Sequence, residues 1–243
     1  MRLEPKTRRW YLVPSPLLGP SCWRGVAEVL VNTGQRVLVA ESGLTTTSDV
    51  DHVSPWVNQL SSIPRPDDDL PVIVVGHSAA CPRIPLLASE LLDKGWNVES
   101  IICVDGRLPD GAPFTATPEF GHMLDAMVRP DDYLPPWPLW WGSLVIGLVI
   151  DPALREQVLK QAKPIPRTWF DQGCPVPDLP PRVGRGYLAF GDGYIEAARQ
   201  AVSEGWEVMR LEGDHLHQIV QPEAVTEALS DIVVRLALES GTR

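Results

Sequence analysis

The chain has 243 residues, 44% of them hydrophobic, and a formal charge of −10. That length buries a full core in one large domain or two small ones, and the ordinary apolar share excludes a disordered tail or a fibre. The acidic balance lacks the basic footprint of a nucleic-acid binder and disfavours an anionic membrane surface. Its local peak, Asp67 to Asp69, reads as a solvated loop. Cys22, Cys81, Cys103 and Cys174 lie far apart with no C-x-x-C pair, so neither structural zinc nor a disulfide framework is expected. Basic residues near the N-terminus precede only a short apolar stretch broken by Pro14, which is weak as a signal peptide. The apolar run 139–150 falls well short of the roughly 20 residues a spanning helix needs. These features imply a cytoplasmic protein with no membrane span, and leave a homodimer open.

In chain order, WYLV opens a strand at Trp10 that runs into a proline-rich loop. Residues 22–34 carry apolar side chains at helical spacing and stop at Gly34, a good C-terminal signal. RVLVAE (36–41) reads as a short strand, and a helix is expected from Asp49 or Asp51 despite Pro55. PVIVVG (71–76) has the continuous apolar character of a central parallel strand. A helix over 83–95 and a strand over 98–106 follow. The alternation then breaks, and the 25 prolines concentrate between Pro109 and Pro181. Helical pieces at 121–128 and 152–162 interrupt this irregular stretch. Strand, helix, strand and helix resume at 185–192, 194–205, 206–213 and 222–239.

Strands alternating with helices predict an α/β fold with a mostly parallel, doubly wound sheet. The expected organisation is a core of residues 1–112 and 182–243, with 113–181 inserted as a helical, Pro/Trp-rich cap over the carboxyl edge, where ligands bind in such sheets.

Gly76-His77-Ser78-Ala79-Ala80 stands between the apolar strand and a helix. In a nucleophile elbow a sharp strand-to-helix turn exposes the serine hydroxyl at its apex, and small flanking residues let the turn fit. The plain alternative is a serine that caps the helix. A serine nucleophile needs a base, and the base an orienting carboxylate, in the chain order serine, acid, histidine. His52 precedes the elbow, His77 lies within it and His122 falls in the expected cap. Of the remaining two, His215 follows the turn-like Gly213-Asp214 directly and is preferred to His217.

Through VVGHSAA, VDGRLPDG and GDHLHQIVQPEAV, the chain resembles the α/β-hydrolase superfamily from about Tyr11 to Leu236. Within it, the chain is most similar to small esterases of the methylesterase and hydroxynitrile lyase kind. The resemblance also implies His215 as base, no metal and no organic cofactor. The acid stays open between Asp105 and Asp192, each at a strand end before a glycine, with Glu196 more distant. One oxyanion donor is expected from the Ala79 N–H. The second normally comes from the loop after the first strand, where Pro14, Ser15 and Pro16 replace the usual His-Gly-x. Proline has no N–H, so the Leu17 amide or the Ser15 hydroxyl must serve, or no tetrahedral oxyanion is stabilised.

Trp137, Trp140 and Trp141 beside an aliphatic run imply either a roof over an apolar site or simple burial of the cap. The expected activity is a Ser78–His215–Asp reaction on a small hydrophobic ester, thioester or related carbonyl substrate. The atypical loop keeps a lyase or cyclase alternative alive, in which His215 and an aspartate move protons. A binding protein that inherited the elbow is the third class.

Overall fold

A computed structural model describes residues 6–41, 51–141, 146–149 and 151–240, without the Ser240 side chain. The first residues of the basic N-terminus, the expected helix start at Asp49, and 142–145 and 150 of the apolar run lie outside the described residues.

Six strands form one parallel sheet: β1 (Arg9–Val13), β2 (Arg36–Val39), β3 (Val72–His77), β4 (Val98–Val104), β7 (Gly184–Phe190) and β8 (Glu207–Leu211), in the order β2-β1-β3-β4-β7-β8. Successive residues of the inner strands alternate between two cores. Leu12, Ile73, Val75, Ile102, Val104 and Leu188 point to one face, covered by α1 (Arg24–Asn32) and α8 (Pro222–Ser240). Tyr11, Val72, Val74, Ile101, Cys103 and Tyr187 point to the other, covered by α2 (Val53–Ser61), α3 (Ile84–Asp93) and α6 (Ile195–Ser203). Burial on both faces is why β3 reads VIVV without polar alternation. Helix α1 stops at the expected glycine: Gly34 takes φ +82°, and the Gln35 N–H returns to the Leu30 carbonyl at 3.0 Å. No helix of the described residues is long and apolar enough to cross a membrane.

From β1 the chain steps to β2 on one side and to β3 on the other. The loops leaving β1 and β3 therefore diverge at their carboxyl ends, and a crevice opens between them. At the end of β3, Ser78 takes φ +57° and opens a tight 3-10 turn, Ser78–Arg83, before α3 begins. The α-helix thus begins within one residue of its expected start at Arg83. Pro82 sits inside the 3-10 turn, and Pro85 takes the first-turn position where a missing N–H costs nothing.

Between β4 and β7 lie α4 (Pro118–Asp125), α5 (Pro152–Gln161), the two-residue strands β5 (Tyr133–Leu134) and β6 (Ile165–Pro166), which pair antiparallel, and short 3-10 turns. Asp151 caps α5 by accepting the Leu154 N–H at 2.8 Å. The segment has no separate core: Leu124, Leu134, Trp137, Val158, Trp169 and Phe170 join the cluster of the first sheet face.

Two features lock the sheet's carboxyl edge. Gly106, just past β4, packs so closely on the elbow that an added Cβ would meet the Ser78 carbonyl oxygen at 2.3 Å. His77, fully buried at the end of β3, donates its Nε2–H to the His215 carbonyl at 2.9 Å and meets Trp23 edge-on. That bond ties β3 to the loop after β8.

Both features yield measurable outcomes. Gly106→Ala forces backbone apart and is expected to cost about 3 kcal/mol in urea unfolding. At Gly193 an added methyl meets nothing, so Gly193→Ala stays within about 1 kcal/mol of wild type. Burial, and secondarily the charge of His215, holds His77 well below the ordinary imidazole range, whereas in the unfolded chain it protonates near pH 6.5. The unfolded state binds the extra proton. The contribution of His77 is therefore complete above about pH 6.5 and lost as pH falls, at up to about 1.4 kcal/mol per pH unit. The urea midpoint should drop between pH 7 and 5, and His77→Asn should flatten that slope; equal slopes would remove His77 as its source.

Candidate active site

Three strand ends deliver three side chains to one point. Ser78 stands at the apex of the elbow after β3, Asp105 directly follows β4, and His215 lies in the loop after β8. The Ser78 hydroxyl meets His215 Nε2 at 2.8 Å, and His215 Nδ1 meets Asp105 Oδ2 at 2.6 Å. The carboxylate accepts a hydrogen bond from Nδ1–H, so Nε2 carries the lone pair that faces the serine.

Asp105 is 1% exposed and takes φ +45°. Strand β7 holds it twice: its N–H donates to the Leu188 carbonyl at 2.8 Å, and its Oδ1 accepts the Phe190 N–H at 2.9 Å. Asp192 is placed differently. Its side chain is 84% exposed and pairs with Arg210 at 3.0 Å, on the rim of the same cavity. Glu196 pairs with Arg199 on the outer surface. His217 begins α7 (His217–Val220) and meets the Phe190 ring edge-on. His52 bonds to Thr168 Oγ1 at 2.9 Å, and His122 is exposed on α4.

The His215 ring is packed on three sides. Tyr194 stacks on it at 5.6 Å and 28°, Trp137 lies tilted at 5.6 Å, and His77 sits 4.8 Å away. Burial, then the charge of Asp105, pushes the Tyr194 phenol up, so it stays neutral beside the imidazole. Sequence reasoning missed His77 and Tyr194 as neighbours of His215. The one available signal for Tyr194 was its position just past the AFGDG turn.

The triad opens into a cavity of about 780 Å³. Its walls include Leu17, Phe114, Phe120, Trp137, Trp140 and Phe170, with Arg107, Asp192 and Asp214 also lining it. Trp140 is fixed by donating its Nε1–H to the Pro135 carbonyl at 2.7 Å. Trp141 lines the same space but is 41% exposed. In the loop after β1, the Ser15 hydroxyl is buried, is not part of the lining, and accepts the Leu17 N–H at 3.3 Å. Leu17 and Ala79 both line the cavity.

No family model matches the chain, and no curated protein matches it. Solved structures do. Polyneuridine aldehyde esterase superposes with a TM-score of 0.66 at 18% identity, covering 93% of this chain and 99% of its own. Tomato methylketone synthase I complexed with 2-tridecanone gives a TM-score of 0.68 at 16% identity, over 95% and 99%. A pyrethroid hydrolase from Sphingobium faniae JZ-2 gives 0.67 at 20% identity, over 94% and 98%. These likenesses run nearly end to end at identities where only architecture is shared: the chain has the α/β-hydrolase fold.

Proposed function

We propose that the chain is a serine hydrolase of the esterase type, acting on an apolar ester, thioester or related carbonyl compound. One observation carries the reading. An unbroken hydrogen-bond relay, Ser78 to His215 to Asp105, ends at the floor of an aromatic cavity. The esterase and the pyrethroid hydrolase among the similar structures agree with it.

Ser78 Oγ attacks the carbonyl carbon while His215 Nε2 takes the hydroxyl proton. Asp105, fixed by the Phe190 amide, keeps Nδ1 protonated and stabilises the imidazolium. The oxyanion is received by the Ala79 N–H and by the Leu17 N–H, whose bond to Ser15 at 3.3 Å is long enough to give way to a stronger acceptor. Collapse expels the alcohol or thiol with the proton from His215. A water deprotonated by His215 then cleaves the acyl-serine, releasing the acid and restoring the hydroxyl. With the Leu17 amide available, Pro16 does not force a lyase or cyclase reading. Residues 113–181 serve as the roof: Trp137, Trp140, Phe114 and Phe170 line the substrate's apolar body.

A fluorophosphonate probe should label the wild type and spare Ser78→Ala; a wild type that never labels overturns the reading. Asp105→Asn should lower kcat about 10⁴-fold, while Asp192→Asn changes it by less than about threefold. Among p-nitrophenyl esters, kcat/KM should rise at least about tenfold from acetate to octanoate, since each buried methylene contributes about 0.8 kcal/mol. Trp140→Ala should blunt that preference.

A further inference from the structure

Arg83, at the end of the elbow's 3-10 turn, is 1% exposed. Charged side chains are almost never buried unpaired. Its Nη1–H donates to the Ala79 carbonyl at 3.1 Å, and its guanidinium carbon lies 3.8 Å from the centre of the Trp169 ring and 5.5 Å from that of Phe114. Nε and Nη2 have no hydrogen-bond partner among the described residues. No carboxylate among the described residues forms a salt bridge with it, and the nearby charge of Arg107 opposes its own. Burial lowers it to about 10, which still leaves it charged at neutral pH. Arg83 does not line the cavity, so it is not a ligand for substrate there. A charge this costly to bury stands at the far end of the 3-10 turn that Ser78 begins, and the proposed mechanism does not use it.

We propose that Arg83 is a positioning residue for the oxyanion site, bracing the turn that presents the Ala79 amide and supplying positive potential where the tetrahedral intermediate becomes negative. The inference rests on the hydrolase reading and deepens it. A charge-assisted bond to the Ala79 carbonyl is stronger than a neutral one, and it holds a turn that begins at the left-handed Ser78. Backbone dimensions put the Ala79 nitrogen within about 7 Å of Nη1. At that range an uncompensated charge in a desolvated site is felt strongly. Such a field adds to the stabilisation that the Ala79 and Leu17 amides give the oxyanion. The same guanidinium binds the insertion to the elbow through the face of Trp169, which stacks on the cavity residue Phe114 at 5.8 Å.

Arg83→Lys, Arg83→Gln and Arg83→Met separate charge from hydrogen bonding and packing. With p-nitrophenyl esters, Gln and Met should lower kcat about 10- to 100-fold with KM within about threefold, and Lys should restore kcat to within about threefold of wild type. Affinity for an alkyl trifluoromethyl ketone, whose serine adduct bears the same oxyanion, should fall in parallel with kcat. Urea midpoints identify any variant that is merely unfolded, and Arg83→Lys is the variant least disturbed. Gln or Met at wild-type kcat, or Lys as impaired as Gln, overturns the proposal. If the wild type neither labels nor turns over, the hydrolase reading fails separately. Hydrogen exchange at the Ala79 amide then decides: faster exchange in Arg83→Gln supports the bracing, and unchanged exchange overturns it.

Discussion

A buried carboxylate raises the free energy of the fold unless its oxygens are taken up. Asp105 meets that requirement in one way: Oδ1 accepts from the Phe190 amide of β7, and Oδ2 accepts from the imidazole of His215. The first bond is made by the parallel sheet, so the register of β4 against β7 sets the direction of the carboxylate. The second fixes the ring, and the ring fixes the lone pair that faces Ser78. The three side chains are thus aligned by backbone pairing between β4 and β7.

The carboxyl edge is kept tight by contacts that leave no slack. Gly106 lies against the Ser78 carbonyl, and the Tyr187 hydroxyl donates to the Gly106 carbonyl at 2.7 Å. His77 holds the His215 backbone while Tyr194 and Trp137 pack its ring. Ser78 and Asp105 both adopt left-handed backbone, a conformation non-glycine residues keep only where surrounding structure holds them. Strain at the two ends of the relay and dense packing between them are one design.

Much of this was readable in the chain, because periodicity and turn residues act over short range. The βα rhythm, the buried character of β3, the elbow and the Gly34 stop all rest on local chemistry. The meeting of Ser78 with His215 followed from chain order and strand ends. The choice between Asp105 and Asp192 did not: each ends a strand before glycine, and only pairing across the long insertion gives one of them the Phe190 amide and leaves the other to Arg210. Arg83 gave no sign of burial, because nothing local distinguishes a guanidinium under a tryptophan from one in water.

The insertion between β4 and β7 has no interior of its own; Leu124, Val158 and Trp169 belong to the same cluster as Leu12 and Val104. Layers that share one core melt together. Swapping this segment for a relative's, cut at the two strand ends, would graft a foreign surface onto half of a core. A change to the cavity wall is therefore felt side chain by side chain in the sheet beneath it.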